Sequence, residues 1–437
     1  MEKQHQPEAK RGTSRRQFLK TAGLTTAGAL AADWARSARY AVAAPRVLGA
    51  NDRIRIGVVG CGSQGMAHVR RFVEMVKNNE ENIEVVAVCD VYQPRKDNAQ
   101  KVAGGTAYHD YRQLLDEAKV DAVWVTTPEH WHAQIAVEAM EAGYDVYIEK
   151  PMTRHLDEAT RVYKTALRTK QIVQVGSQGC ANDKWRRAHE LIQAGRIGKV
   201  VWSQTSYCRN SKGGEWNYPI DEGASPANLD WNAWLGPAPK VEFSKERYFR
   251  WRKYWDYSSG IASDLFPHRL HPLYLVLGAE FPTRVVSTGG IYVHFDREVP
   301  DTVHTVLDFP SGHTTVVAGS TCNELGLEDV VRGHKMNMFL GGDTIVLRPE
   351  RIWADEVEEE QIKVPGPEDE IRALEKNFLQ CVRTREQPYC NIDLAYNVQV
   401  AICLSEISYR ESRVVGFDPQ KLEVTRGSIP VIKPGTT

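Results

Sequence analysis

The sequence predicts an α/β protein in two parts: a doubly wound parallel sheet towards the N-terminus, then an antiparallel sheet with helices. Three observations predict it. Gly60-Cys61-Gly62-Ser63-Gln64-Gly65 lies between an apolar run, Ile54 to Val59, and a helical pattern from Gln64 to about Lys77. Strand and helix patterns then alternate as far as about Gln174. From about Gly176 the pattern changes to alternating strands joined by Gly- and Pro-containing turns. With 437 residues the chain is long enough for two sizeable cores.

The glycine-rich turn carries the first chemistry. Gly60 permits a tight turn, Gly62 lets backbone approach a pyrophosphate, and Gly65 lets helix and strand pack closely. The helix start at Ser63 and Gln64 offers N–H groups to phosphates. The next apolar run, Val85 to Cys89, ends in Asp90, an acid placed to hold ribose hydroxyls. Strand, glycine turn, helix, strand and acid in that order read as a dinucleotide site. Asp90 favours NAD by repelling a 2′-phosphate, while Arg95 keeps NADP open.

Asp121 to Thr127 is the next strand and ends at Pro128; Trp131 to Ala142 is a helix stopped by Gly143. Asp145 to Glu149 is a strand capped by Lys150-Pro151, Leu156 to Arg168 is helical, and Ile172 to Val175 is a short strand. Right-handed crossovers put all strand C-termini on one edge, so Gly60, Asp90, Thr127 and Lys150 share the ligand-binding edge. After a helix from Trp185 to Ala194 and a strand from Val200 to Tyr207 comes a long irregular section, Cys208 to Gly260, rich in Gly, Pro, Asn and Trp. Loops of this length are usually functional. This one reads as a cover for the cofactor, with Arg252 and Trp255 near the nicotinamide. A helix from Leu265 to Leu277 follows. Strands are expected at Arg284 to His294, Val303 to Phe309, His313 to Gly319 and around Gly341-Gly342-Asp343, then helices at Glu368 to Val382 and Leu394 to Tyr409.

The first residues read differently. Ser14-Arg15-Arg16-Gln17-Phe18-Leu19-Lys20 is a twin-arginine export pattern, followed by a modestly apolar stretch and a small-residue cleavage site, Ala41-Val42-Ala43. The competing reading is an ordinary basic leader. Three segments are therefore expected: a signal peptide over 1–43, a nucleotide-binding domain over 44–175 and a substrate and oligomerisation domain over 176–437. The stretch is too short to be a permanent membrane anchor. Net charge is −1, with no basic stripe to argue for nucleic acid. None of the eight cysteines forms a C-x-x-C pair, which argues against zinc and redox motifs.

Three groups could do chemistry at the sheet edge. Pro151 turns the chain out of the sheet and pushes Lys150 towards the cleft, where an ammonium can hold a substrate oxygen. Asp264 and His268 lie four apart at a helix start and share a face. His268 suits proton transfer, and Asp264 can orient it or bind substrate. A metal held with His271 is the rival reading, and a helix cap with a core histidine the structural one. His130 and His132 face differently; one can line the cleft, or His132 can be structural.

Together these residues resemble the glucose–fructose oxidoreductase, inositol dehydrogenase and MocA family (Gfo/Idh/MocA). The matching pieces are the glycine turn, Thr126-Thr127-Pro128 with His132, Glu149-Lys150-Pro151, Asp264 with His268, and Asp230-Trp231-Asn232-Ala233-Trp234-Leu235-Gly236-Pro237. The resemblance implies an N-terminal Rossmann domain and a C-terminal α/β domain built on an open, mostly antiparallel sheet. It implies tightly held NAD or NADP, and sugars or cyclic polyols as substrates. It maps a catalytic group onto Lys150, Asp264 and His268. The cofactor site is expected to comprise Gly60, Gly62, Ser63, Gln64, Gly65, Asp90, Thr127, Pro128, His132, Glu149, Lys150 and Arg252. Phe266 and His271 depart from the family pattern. Some relatives use the same cofactor to cleave glycosidic bonds by oxidation, elimination and reduction. The expected protein is an exported homo-oligomeric oxidoreductase whose partners are a carbohydrate or polyol and the twin-arginine machinery, with a glycosidase or lyase working through a 3-keto intermediate as the alternative.

Overall fold

A computed structural model describes residue 49 and residues 52–428. The export pattern and the cleavage site lie outside the described residues. The first sheet has six strands: β1 (Ile54–Val59), β2 (Ile83–Cys89), β3 (Thr106–Tyr108), β4 (Ala122–Val125), β5 (Asp145–Glu149) and β6 (Val173–Gly176). All neighbours pair in parallel in the order β3-β2-β1-β4-β5-β6. The order reverses between β1 and β4, and such a switch point opens a crevice at the strand C-termini. The inner strands are apolar on both faces because helices cover both; β4 and β5 are buried at every position.

The segment between Asp90 and Asp121, unassigned from sequence, supplies the helix Gln93–Ala103, β3 and the helix Tyr111–Glu117. Three strand residues in β3 are too few to carry a period, so nothing in the pattern marks them.

Among the described residues the second sheet has ten strands. They are β7 (Val200–Cys208), β8 (Arg284–Gly290), β9 (Thr302–Asp308), β10 (Thr314–Ser320), β11 (Val330–Gly333), β12 (Met336–Phe339), β13 (Thr344–Pro349), β14 (Glu360–Lys363), β15 (Val415–Asp418) and β16 (Glu423–Arg426). Their order is β14-β13-β12-β11-β7-β10-β9-β8-β15-β16, antiparallel except for β7 with β10. One face is buried by the helices Pro267–Leu277 and Ile392–Glu411. β9 shows the result, with Val303, Thr305 and Leu307 buried and His304 and Val306 exposed.

The section from Cys208 to Gly260 holds only short helices, Trp231–Leu235 and Lys245–Phe249, and one turn at Trp251–Lys253. It lies against the Rossmann domain. Tyr92 bridges to Leu229, and the carbonyl of Trp234 accepts from His130 Nε2 at 2.9 Å and Trp131 Nε1 at 2.8 Å. Trp231 and Trp234 stack at 4.7 Å and pack with Tyr92, Tyr248 and Tyr257 in a separate aromatic core.

Candidate active site

The carboxyl edge of the first sheet and the covering section enclose a cavity of about 830 Å3, within the range of small-molecule sites. Gly60, Gly62, Ser63 and Gln64 line it. Gly60 has φ +94°. A Cβ on Gly65 would lie 2.0 Å from the Gly60 carbonyl oxygen, so the turn and the helix Ser63–Lys77 close against each other only with glycine there. No side chain caps that helix, which leaves first-turn N–H groups facing the cavity.

Asp90 lies at the end of β2. Its carboxylate accepts from the backbone N–H of Cys61 at 2.7 Å and of Tyr92 at 2.8 Å, tying the turn to the strand end. Burial raises its pKa, against the pull of the Arg95 charge. Each oxygen keeps a lone pair for a ribose hydroxyl. Arg95 lies beside Gly62 and over the rings of Tyr248 and Phe249, at 4.9 and 5.4 Å.

Thr127 and Pro128 also line the cavity, and the buried Thr127 hydroxyl has no hydrogen-bond partner in the protein. Such an orphan is what a ligand polar group would satisfy. The uncapped helix start, the Asp90 lone pairs and this hydroxyl thus fit a dinucleotide. The ring nitrogens of His132 each lie 2.8 Å from a carbonyl oxygen, of Pro151 and of Thr127. His132 therefore sits between the two turns, and its neutral ring, with one N–H, donates to one of these two carbonyls. His130 is buried against Trp234 and is not part of the cavity wall.

Glu149 ends β5. Its Oε1 accepts from Gln64 Nε2 at 3.0 Å and from His68 Nε2 at 2.8 Å. His68 Nδ1 pairs with Glu375, which also takes Arg71 Nε at 3.0 Å. Burial alone would lower the His68 pKa, but the two carboxylates raise it to about 9. Burial alone would raise Glu149, but His68 and Gln64 hold it at about 2. The result is a buried imidazolium between two carboxylates.

Lys150 follows at the strand end. Its Nζ donates to Asp264 Oδ1 at 2.7 Å and to the Asp264 carbonyl at 2.9 Å. Asp264 lies in a π-helical turn, Ile261–Leu265, just before the helix Pro267–Leu277. Its Oδ1 also accepts from Arg252 Nε at 2.9 Å, and its Oδ2 from Trp216 Nε1 at 2.8 Å. Burial pushes Asp264 up, yet the Lys150 and Arg252 cations hold it well below the usual carboxylate range.

His268 shares the cavity, but of the two roles open to Asp264, orienting this ring is not the one it takes. Its Nδ1 lies 3.2 Å from Gln178 Oε1, so Gln178 rather than Asp264 orients the ring. The π-helical turn breaks the α-helical register on which that expectation rested. Burial first, then the Lys150 charge, pushes the His268 pKa down to about 3. With Nδ1–H donating to Gln178, the neutral ring presents Nε2 as a proton acceptor.

His271 Nδ1 donates to the Pro267 carbonyl at 2.9 Å within its own helix and is not in the cavity wall. Trp255 is a second correction. It packs against Tyr409 and beneath Arg410, outside the cavity, because its carbonyl is held by Arg154 at 2.6 Å. Sequence reasoning missed Gln178, Arg209, Tyr218 and Trp251 in the cavity wall, and His68, Trp216 and Glu375 behind it. These residues stand in no recognisable spacing. Trp216 and Trp251 were visible only as part of a tryptophan-rich section.

Sequence signatures described as "oxidoreductase family, NAD-binding Rossmann fold" and "oxidoreductase family, C-terminal alpha/beta domain" match residues 54–177 and 200–429. The chain belongs to the Gfo/Idh/MocA oxidoreductase family. Among curated relatives, a glycosyl hydrolase family 109 protein of Shewanella baltica is 31% identical over 213 residues, 44% of this chain and 45% of the relative. An α-N-acetylgalactosaminidase of Shewanella oneidensis is 28% identical over 231 residues, 46% of this chain and 49% of the relative. The chain spans about half the length of the curated relatives it matches. Among solved structures, the WlbA dehydrogenase of Bordetella pertussis, in complex with NADH and UDP-GlcNAcA, superposes with TM-score 0.62 at 19% identity, over 84% of this chain and 99% of that one. A levoglucosan dehydrogenase in complex with NADH and levoglucosan gives 0.61 at 18% identity, over 86% and 100%. This Gfo/Idh/MocA member therefore carries an NAD-binding Rossmann domain and the family's second domain.

Proposed function

We propose that this family member is an oxidoreductase acting on a CH–OH group of a sugar, cyclic polyol or glycoside, with NAD held tightly. One observation carries the reading: Lys150, paired to ionised Asp264, and neutral His268 line the same cavity as the dinucleotide turn. Gly62, Ser63 and Gln64 would hold the pyrophosphate, Asp90 the adenosine ribose, and Thr127 and Glu149 the nicotinamide half. Bound NAD supplies the hydride acceptor. Lys150 holds the substrate oxygen and stabilises negative charge as it develops, while His268 Nε2 takes the hydroxyl proton. Asp264 stays ionised and keeps the Lys150 ammonium aimed at that oxygen.

A second reading has its own support. The partial likeness to family 109 glycosyl hydrolases favours an NAD-dependent glycosidase or lyase in which a transient 3-keto sugar forms and is reduced again. The test incubates purified holoprotein with free sugars, polyols and p-nitrophenyl glycosides. Net NADH formation supports the dehydrogenase; p-nitrophenol release with no net NADH supports the glycosidase. Neither signal from any probe, with cofactor present, would count against both.

Export by the twin-arginine route belongs to the same proposal, and rests on residues 14–20 and 41–43. N-terminal sequencing of protein recovered from outside the cytoplasm should start near Ala44. A homo-oligomer is proposed on the part-exposed valines Val201, Val286 and Val306 of the second sheet. Light scattering in solution reads the mass; a monomer at all concentrations would refute it.

A further inference from the structure

Trp216 lies in the covering section, 2% exposed and outside the cavity wall. Its backbone has φ +65°, a region that a bulky side chain seldom adopts. Such a conformation persists only where the surroundings over-determine it, and here both neighbours are clamped. The carbonyl of Glu215 accepts from Arg297 Nη2 at 3.1 Å. Asn217 donates to Asp296 Oδ2 and to the Gly213 carbonyl, both at 2.8 Å, and accepts from Lys253 Nζ at 3.0 Å. Arg297, with its side chain fully buried, lies 5.4 Å over the Trp216 ring. The indole N–H so held donates to Asp264 Oδ2.

We infer that Trp216 is a positioning residue: its N–H fixes the plane of the Asp264 carboxylate so that Oδ1 alone meets Lys150 and Arg252. The inference rests on the catalytic reading given above. Asp264 receives side-chain donors from three places: Lys150 at the end of β5, and Trp216 and Arg252 in the cover. Trp216 is the only one of the three outside the cavity, so it acts on chemistry through Asp264. Without its N–H, Oδ2 becomes a buried acceptor with no donor, and the carboxylate can turn to share both oxygens between the two cations. The Lys150 ammonium, anchored on Oδ1 and on the Asp264 carbonyl, then leaves its line to the substrate oxygen. Misplacement of a group that holds the reacting oxygen slows the chemical step without loosening substrate binding in proportion.

The test compares the holoprotein with Trp216→Phe, which keeps a ring and loses the donor, and Trp216→His, whose Nε2–H can restore one. The probe substrate is whichever sugar or p-nitrophenyl glycoside the wild type turns over in the screen above. Rates are normalised to bound cofactor. The Phe variant should lose about tenfold or more in kcat with KM within about twofold, and the His variant should recover most of the loss. A readout independent of activity is the Trp216 indole N–H in 15N-labelled holoprotein, assigned by its absence in the Phe variant. It should be downfield-shifted and protected from exchange. An unchanged kcat in the Phe variant, or equal loss in folded, cofactor-loaded Phe and His variants, would overturn the inference. If Phe prevents folding, a loaded His variant with kcat within threefold of wild type supports it, and one with a tenfold loss overturns it. A wild type inactive on every probe would instead refute the catalytic reading.

Discussion

At the residue scale, one carboxylate organises the reaction corner. Asp264 is held ionised by Lys150 and Arg252 and takes three side-chain donors, so it is unsuited to proton transfer, and the proposed function gives contact with substrate to Lys150 and His268. Lys150→Ala and His268→Ala should each lower turnover by about two to four orders of magnitude, with folding retained, as steady-state rates per bound cofactor will show. The His268 pKa gives a second expectation. Because burial and Lys150 depress it to about 3, the ring stays neutral throughout the neutral and mildly acid range. NMR titration should find no protonation of His268 between pH 7 and about pH 5. In Lys150→Met one depressing cause is gone, with burial and the Arg209 charge remaining, so its titration should move to higher pH. A midpoint near 6.5 in the wild type would contradict the buried, cation-flanked ring.

At the element scale, the covering section forms part of the cavity wall and is expected to set how fast the cofactor exchanges. Two donors of the helix Glu129–Glu141, His130 and Trp131, hold the Trp234 carbonyl of the cover. The next turn passes so close to Trp131 that a Cβ on Gly236, at φ +49°, would lie 2.2 Å from its ring. Gly236→Ala should therefore push the cover off the Rossmann domain. The wild type should keep its dinucleotide through dialysis, and the variant should release it at least about tenfold faster, read by absorbance and mass analysis of the retained protein. Equal retention would separate cofactor hold from the cover. Wash-out from the wild type with micromolar or weaker affinity would refute the tight hold on NAD in the proposed function.

At the scale of the whole molecule, buried charge networks besides the Lys150–Asp264–Arg252 group join the domains. Arg154, just after β5, donates to Glu406 of the helix Ile392–Glu411 and to the Trp255 carbonyl. His68 lies between Glu149 of the first domain and Glu375 of the helix Glu370–Thr384. The His68 pKa is raised to about 9 in the folded protein against 6.5 unfolded. The folded state then binds the proton more tightly, so this contribution is full below about pH 6.5 and is lost as pH rises through about 9. The melting temperature of the wild type should fall over that window more steeply than that of His68→Gln, which has no proton to release. Parallel slopes by calorimetry would show that the network is not a charged one.

Much of this was legible in the sequence because it is local. Gly60, Gly62 and Gly65, the acid at Asp90 and the turn at Pro151 are properties of a few consecutive residues, and parallel topology then puts them on one edge. The alternating and 3.6-residue patterns likewise located most of the larger sheet and its covering helices. What only the tertiary structure decided depends on residues far apart in sequence. Asp264 looked like a partner for His268 four residues on, but the π-helical turn and three donors from other segments turned it towards Lys150. Trp216 and Trp255 belong to the same aromatic section, yet one reaches the reaction corner and the other lies on a helix outside it. Hydrophobic period and glycine punctuation report on backbone and burial. Which donor meets which acceptor inside is fixed by packing across the interface between domains, and no short stretch of sequence contains that information.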